Sequence, residues 1–202
     1  MQFSVPKPSV IILSSGNAHK IVEIGEALNP LGIELKSNKD YPEFGDVEET
    51  EKTLEGNALL KARAMFRFTG LPSLADDTGL EVSALNGEPG VFSARYAGEN
   101  ATFEDNVNKL LREMNGKTDR AAAFRTVLAL VTEDGEFFFD GVCEGRIINE
   151  PKGDGGFGYD PVFMPDGWNM TFAEMSVSDK NAISHRGRAV KELTSFLKAL
   201  PA

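Results

Sequence analysis

Val10-Ile11-Ile12-Leu13-Ser14-Ser15-Gly16-Asn17-Ala18-His19-Lys20 decides the fold. Its four apolar residues read as a strand buried on both faces. The polar Ser-Ser-Gly-Asn break ends the strand, and a helical pattern follows with Ile21, Ile24 and Leu28 on one stripe. Asn29-Pro30 stops that helix, and Ile33-Glu34-Leu35 alternates like a short strand.

Outward from this unit, residues 40–52 are acidic and irregular. A helix is expected over 53–68, with Leu54, Ala58, Ala62, Met65 and Phe66 as its stripe and Gly70 and Pro72 as stop signals. Leu74-Ala75 reads as a very short strand running into Asp76-Asp77-Thr78-Gly79, after which 80–85 resumes as a strand. Thr102-Phe103-Glu104-Asp105 resembles a capping box with Asp in place of Glu, opening a helix that carries Phe103, Val107, Leu110, Leu111 and Met114. Residues 124–131 and 136–148 read as strands on either side of the Asp134-Gly135 turn signal. A last helix is expected over 184–200. This order implies an α/β, or mixed α+β, fold: a mixed sheet flanked by helices. No repeat and no Pro-, Gly- or Ser-rich linker interrupts the chain, so residues 1–202 are expected to form a single domain.

Composition narrows the function classes. The 202 residues include 31 acids and 21 bases, a formal charge of −10, with 41% hydrophobic and 26% charged residues. That balance suits a globular chain and offers no electrostatic footprint for a nucleic-acid polymer. A single cysteine, Cys143, forms neither an internal disulfide nor a cysteine-based zinc site, and two histidines do not make a His-rich metal site. No apolar run reaches the roughly 18 residues of a membrane span. Met1-Gln2-Phe3-Ser4-Val5-Pro6 lacks the regions of a signal peptide. A soluble cytoplasmic protein is the expectation, and a metal, if used, should be hard and oxygen-bound.

Five stretches can carry chemistry. Ser15-Gly16-Asn17-Ala18-His19-Lys20 joins a buried strand to a helix, where backbone N–H groups and a lysine one turn in suit a phosphate; a plain helix cap accounts for the same residues. Asp76-Asp77-Thr78-Gly79 follows an apolar strand stub, a costly place for two acids unless they are paired, exposed or bound to a cation; a solvated Asp turn is the alternative. Glu48-Glu49-Thr50-Glu51 precedes Glu55, Asn57 and Lys61, of which Asn57 and Lys61 share a helix face; a solvated helix entrance fits equally. In Gly153-Asp154-Gly155-Gly156-Phe157-Gly158-Tyr159-Asp160-Pro161 the glycines leave room around two aromatics and an acid, as a flat stacked ligand would need; the alternative is a flexible loop. Lys180-Asn181-Ala182-Ile183-Ser184-His185-Arg186-Gly187 gathers cations at a helix start, which the helix dipole disfavours and an anionic or oxygen-rich ligand would explain; ion pairing with an acidic surface is the alternative.

In this order, and with Pro89-Gly90-Val91-Phe92-Ser93-Ala94-Arg95-Tyr96 between them, these stretches resemble the inosine triphosphate pyrophosphatase family, the XTP/dITP diphosphatases. The resemblance covers nearly the whole chain. It implies an elongated fold with a long central mixed sheet, two lobes and a cleft, and a homodimer. It implies Mg²⁺-dependent hydrolysis, with Mn²⁺ as a substitute, of free ITP, dITP and XTP to the monophosphate and pyrophosphate. Carried over by position, Ser15, Gly16, Asn17, Ala18, His19 and Lys20 match the triphosphate loop. Asp77 matches the catalytic acid and a metal-site residue, with Asp76 and Glu49 the carboxylates near the metal. Thr78 stands where many relatives carry serine, and Asn57 and Lys61 fall beside the phosphates. Phe157, Gly158, Tyr159, Asp160, Lys180, His185 and Arg186 match nucleotide-binding positions. On this reading Phe157 stacks the purine, and Arg186 or the His185 region donates to a 6-oxo group. A related pyrophosphatase of other base specificity, or a non-catalytic nucleotide-binding module, are the rival expectations.

Overall fold

The computed structural model describes residues 6–201; the 1–5 stretch read above for signal-peptide character lies outside them. β1 (Val10–Leu13) is buried over its last three residues and leads into α1 (Ala18–Leu28), whose Ile24 and Leu28 face the core. Asn29–Leu31 makes one 3₁₀ turn, with the proline where its missing N–H costs nothing, and β2 (Glu34–Ser37) then pairs parallel to β1. α2 (Leu54–Thr69) starts at the Thr53 cap, whose hydroxyl accepts from Gly56 N–H at 3.0 Å, and ends at Gly70. It returns the chain to β3 (Ser73–Val82), parallel to β1 on its other side with Ile12 opposite Ser73 and Leu13 opposite Leu74.

β3 is longer than the sequence suggested. It does not break at Asp76-Asp77-Thr78-Gly79 but runs through, with eight of its ten residues buried; a 3₁₀ turn at Ser83–Leu85 replaces the expected end of the second strand. β4 (Pro89–Gly90) pairs antiparallel to β3. α3 (Phe103–Glu113) opens on the expected capping box, the Asp105 carboxylate accepting from Thr102 N–H at 2.9 Å and the Thr102 hydroxyl from Asp105 N–H at 3.1 Å. β5 (Ala121–Thr132) and β6 (Gly135–Ile147) form a hairpin, since a two-residue connection can join only antiparallel neighbours. β7 (Phe163–Pro165) pairs antiparallel to β6. The expected single last helix is two: α4 (Val177–Ile183) and α5 (His185–Ala199), separated by Ser184 in an extended conformation. The strands form one mixed sheet in the order β2-β1-β3-β5-β6-β7, with β4 beside β3.

Two compact units divide this chain. The first comprises Met1–Asp77, Val127–Asp140 and Ala189–Ala202; the second comprises Thr78–Thr126 and Gly141–Arg188. Each has its own core. Ile11, Leu13, Ile24, Leu74, Leu128, Leu193 and Leu197 build the first, and Leu80, Leu110, Phe124, Val162, Phe163 and Phe172 the second. Among the described residues no helix is long and apolar enough to cross a membrane.

Candidate active site

In the first unit, the site forms where β1 ends and β3 carries two acids, near the start of α1. Asp76 and Asp77 sit in mid-strand with only 2% and 8% of their surface exposed. Two buried carboxylates would cost several kcal/mol if uncompensated. Successive strand residues point in opposite directions, and the two acids take different lysines. Lys20 of α1 reaches Asp76 at 2.9 Å. Lys61 of α2 reaches Asp77 at 3.4 Å and Glu49 at 2.6 Å. Asn57, fully buried one turn before Lys61, donates to the second Asp77 oxygen at 3.3 Å and accepts from Glu51 N–H at 3.0 Å, tying the acidic segment to α2.

These contacts set the protonation behaviour. Burial pushes the Asp77 carboxyl above the ordinary aspartate value, Lys61 opposes this, and Glu49 and Asp76 add to the rise. Burial alone would depress the Lys61 ammonium, but Asp77, Asp76 and Glu49 together hold it above the ordinary lysine value. Asp77 is thus a carboxylate made more basic than usual, beside a firmly charged ammonium.

The strand-to-helix loop is more committed than its sequence implied. The Asn17 carboxamide caps α1, accepting from His19 N–H at 3.0 Å and Lys20 N–H at 3.4 Å. Ser15 N–H goes to Leu13 carbonyl, and Asn17 N–H to the Ser15 hydroxyl. The N–H groups of Gly16 and Ala18 make none of these bonds. No atom lies within 4 Å of where a Gly16 Cβ would sit, so the fold itself does not require glycine there; the open space flanks a cavity of about 300 Å³ lined by Ser15, Gly16, Lys20, Glu49, Lys61 and Asp76. Ala18 and His19 are exposed on the first turn of α1.

In the second unit a different cluster forms. Asp160 is buried; its carboxylate accepts from Phe157 N–H at 2.7 Å and from the Lys180 ammonium at 2.5 Å. Gly156 adopts a left-handed φ of 71°, and a Cβ there would run into the Asp160 carboxylate, so this turn admits only glycine. The half-buried Phe157 ring has the Lys180 ammonium 4.8 Å and the Arg186 guanidinium 5.7 Å from its centre, and Phe103 tilts against it at 6.3 Å. His185 is buried and stacks on Phe124, centres 4.7 Å apart and planes 14° from parallel. Thr78 binds the buried Thr126, hydroxyl to hydroxyl, at 2.7 Å. Gly158 continues the turn with a left-handed φ of 62°.

The Tyr159 side chain in this turn is buried as well, and its hydroxyl donates to the Ser93 carbonyl at 2.9 Å.

Residues 11–196 match the family model described as the Ham1 family. The dITP/XTP pyrophosphatase of Chlorobaculum tepidum is 52% identical over 89% of this chain and 88% of its own length, and that of Flavobacterium psychrophilum is 46% identical over 93% and 98%. Among solved structures, a HAM1 protein from Coxiella burnetii superposes with a TM-score of 0.90 at 43% identity, covering 94% of this chain and 98% of its own. The chain belongs to the Ham1 family.

The expected site residues of this Ham1-family chain divide cleanly. Ser15, Gly16, Asn17, Ala18, His19, Lys20, Glu49, Asn57, Lys61, Asp76 and Asp77 fall in the first unit, and Thr78, Phe157, Gly158, Tyr159, Asp160, Lys180, His185 and Arg186 in the second. The sequence reading did not single out Asn38, Phe44 and Asp46, which line the first unit's cavity, because an irregular acidic segment carries no periodicity to read. It also did not single out Phe124 and Phe172, whose rings lie 4.7 and 6.3 Å from that of His185.

Proposed function

We propose that this Ham1-family protein hydrolyses non-canonical purine nucleoside triphosphates (ITP, dITP and XTP) to the monophosphate and pyrophosphate, removing them from the nucleotide pool. The observation that carries the reading is the buried, proton-seeking Asp77, held between Asn57 and Lys61, a lysine that also lines the cavity flanked by Gly16. The chain's similarity to dITP/XTP pyrophosphatases supports it.

Asp77 orients a water and takes its proton as the water oxygen attacks the α-phosphorus. The bond from that phosphorus to the α,β-bridging oxygen breaks, and pyrophosphate leaves. Lys20 and Lys61 spread the phosphate charge once they turn from their carboxylates, and the Gly16 and Ala18 amides take phosphate oxygens.

The donors here suit Mg²⁺. They are hard carboxylate oxygens, and among the described residues no three His, Cys, Asp or Glu side chains gather into a metal-sized group. That fits an ion which keeps most of its ligands as water and substrate phosphate and asks the protein for one or two carboxylates. One or two of Asp77, Asp76 and Glu49 would hold it, and when bound it would neutralise phosphate charge and polarise phosphoryl oxygens. Mn²⁺ has the same preferences.

The second unit's residues recognise the base. Phe157 offers a stacking face, and Arg186 and Lys180 offer donors to a 6-oxo group. The 6-amino group of adenine would leave such donors unpaired. A cytoplasmic homodimer acting on free nucleotides, with no polymer or membrane partner, completes the proposal; sedimentation of the purified protein tests the dimer.

The deciding assay is pyrophosphate release from ITP, XTP, GTP, ATP and dUTP with Mg²⁺ and with chelator. Rapid release from ITP and XTP, lost with chelator, is expected. Preference for dUTP would favour a pyrophosphatase of other base specificity. Thermal stabilisation by ITP without release would favour a binding module.

A further inference from the structure

We propose that Tyr159 is a positioning residue rather than a nucleotide ligand: it tethers the turn bearing Phe157 and Asp160 to an anchored platform at Ser93. This rests on the proposed base recognition and adds residues outside it.

The platform is the Pro89-Gly90-Val91-Phe92-Ser93-Ala94-Arg95-Tyr96 stretch, which the reaction leaves without a role. It is pinned from several sides. The Ser93 hydroxyl donates to Gly90 carbonyl at 2.6 Å and accepts from Leu80 N–H on β3 at 2.9 Å. From α3, the buried Asn106 accepts from Ala97 N–H at 2.7 Å and donates to Ala94 carbonyl at 3.1 Å. Lys109 donates to Tyr96 carbonyl at 2.7 Å and lies 4.1 Å over the Tyr96 ring. The Ser93 carbonyl is therefore a fixed acceptor.

Tyr159 spends its hydroxyl on that acceptor, and only 4% of its surface is exposed, so neither its ring nor its oxygen is offered to a ligand. Burial raises the phenol above its ordinary value, which keeps it a donor across the working pH range. Its own carbonyl accepts from Val162 N–H at 3.0 Å and Phe163 N–H at 3.1 Å, and Asp160 N–H returns to Phe157 carbonyl at 3.3 Å. Residue 159 is thus tied forward to β7 through its carbonyl, the next amide is bonded back to the stacking residue, and the phenol adds the anchor to Ser93. Without it, Phe157 and the Asp160–Lys180 pair keep their chemistry but lose their fixed position.

The test uses Tyr159→Phe, which removes one oxygen, and Ser93→Ala, which loosens the platform. Hydrogen exchange on the free protein should quicken about tenfold for the amides of Asp160, Val162 and Phe163, while α1 and α2 keep parent protection. The KM for ITP should rise about 2- to 10-fold, the range for one neutral hydrogen bond. The inhibition constant of inorganic tripolyphosphate, which has no base, should stay within about twofold. The double variant should be no worse than about twofold beyond the worse single. Parent exchange rates in Tyr159→Phe overturn the tether, as does a joint rise in KM and the tripolyphosphate constant, or fully multiplicative effects. If Ser93→Ala does not fold, Tyr159→Phe decides alone. A parent protein that releases no pyrophosphate from ITP overturns the proposed function instead, and the exchange rates still judge the tether.

Discussion

The two units place their cations on different partners. In the first, Lys20 and Lys61 are shared among Asp76, Asp77 and Glu49 at 2.6 to 3.4 Å. In the second, Lys180 and Arg186 stand over the Phe157 ring, and Lys180 also reaches the Asp160 carboxylate at 2.5 Å. Acids paired with lysines can give up those lysines to phosphate and keep a base for water. Cations held over a ring are fixed in a plane, ready for the edge of a flat heterocycle. The first arrangement suits bond breaking, the second recognition.

Asp77→Asn should break this division most sharply. Removal of the base lowers turnover of ITP about 10²- to 10⁴-fold. The melting temperature should not fall, for a reason of sign. The folded carboxyl titrates above its unfolded value, so its ionisation removes stability as pH rises through that interval, and asparagine escapes the cost. Turnover near that of the parent, measured by pyrophosphate release, would remove Asp77 from the role of base.

Phe157→Ala tests the other unit. Loss of the stacking face should raise the KM for ITP about 10- to 100-fold, the worth of one base-aromatic stack. The inhibition constant of tripolyphosphate should not move. Arg186→Ala should narrow the ITP-to-ATP preference by about tenfold, since a donor that adenine leaves unpaired no longer exists. An unchanged preference, from paired kcat/KM values, would take Arg186 out of base selection. Glu49→Gln tests what sets the pH dependence. Glu49 helps raise Asp77, so neutralising it moves the acid limb of the kcat/KM profile to lower pH. A limb that stays in place, or moves upward, would mean another group sets it.

How much of this could be read from the sequence depends on how local the cause is. α1, α2 and α3 were legible because caps and apolar stripes lie within their own residues, down to the Thr102–Asp105 box. α4 was not, because seven residues leave too little pattern, and β7 has only three. β3 is the instructive case. Asp-Asp-Thr-Gly is natural turn chemistry, and a turn was a fair expectation. The strand stays extended because Lys20 and Lys61, remote in sequence, meet the acids. The sequence showed neither the division of the candidate residues between two units nor the withdrawal of Tyr159 from the surface, which depends on a carbonyl 66 residues away.

The continuity of β3 carries a constraint of parity. Its first residues are locked by pairing to β1, Leu74 lying opposite Leu13, so counting along the strand fixes which way each acid points. The α2–β3 connection can lengthen or shorten without touching this count. A single residue added or lost between Leu74 and Asp76 would instead exchange odd for even, offering each carboxylate to the other's lysine and turning Thr78 or Ala75 toward an acid's place. Substitutions elsewhere in the site weaken one contact at a time; a slip here would invert the whole arrangement at once while leaving every acid and lysine of the site present.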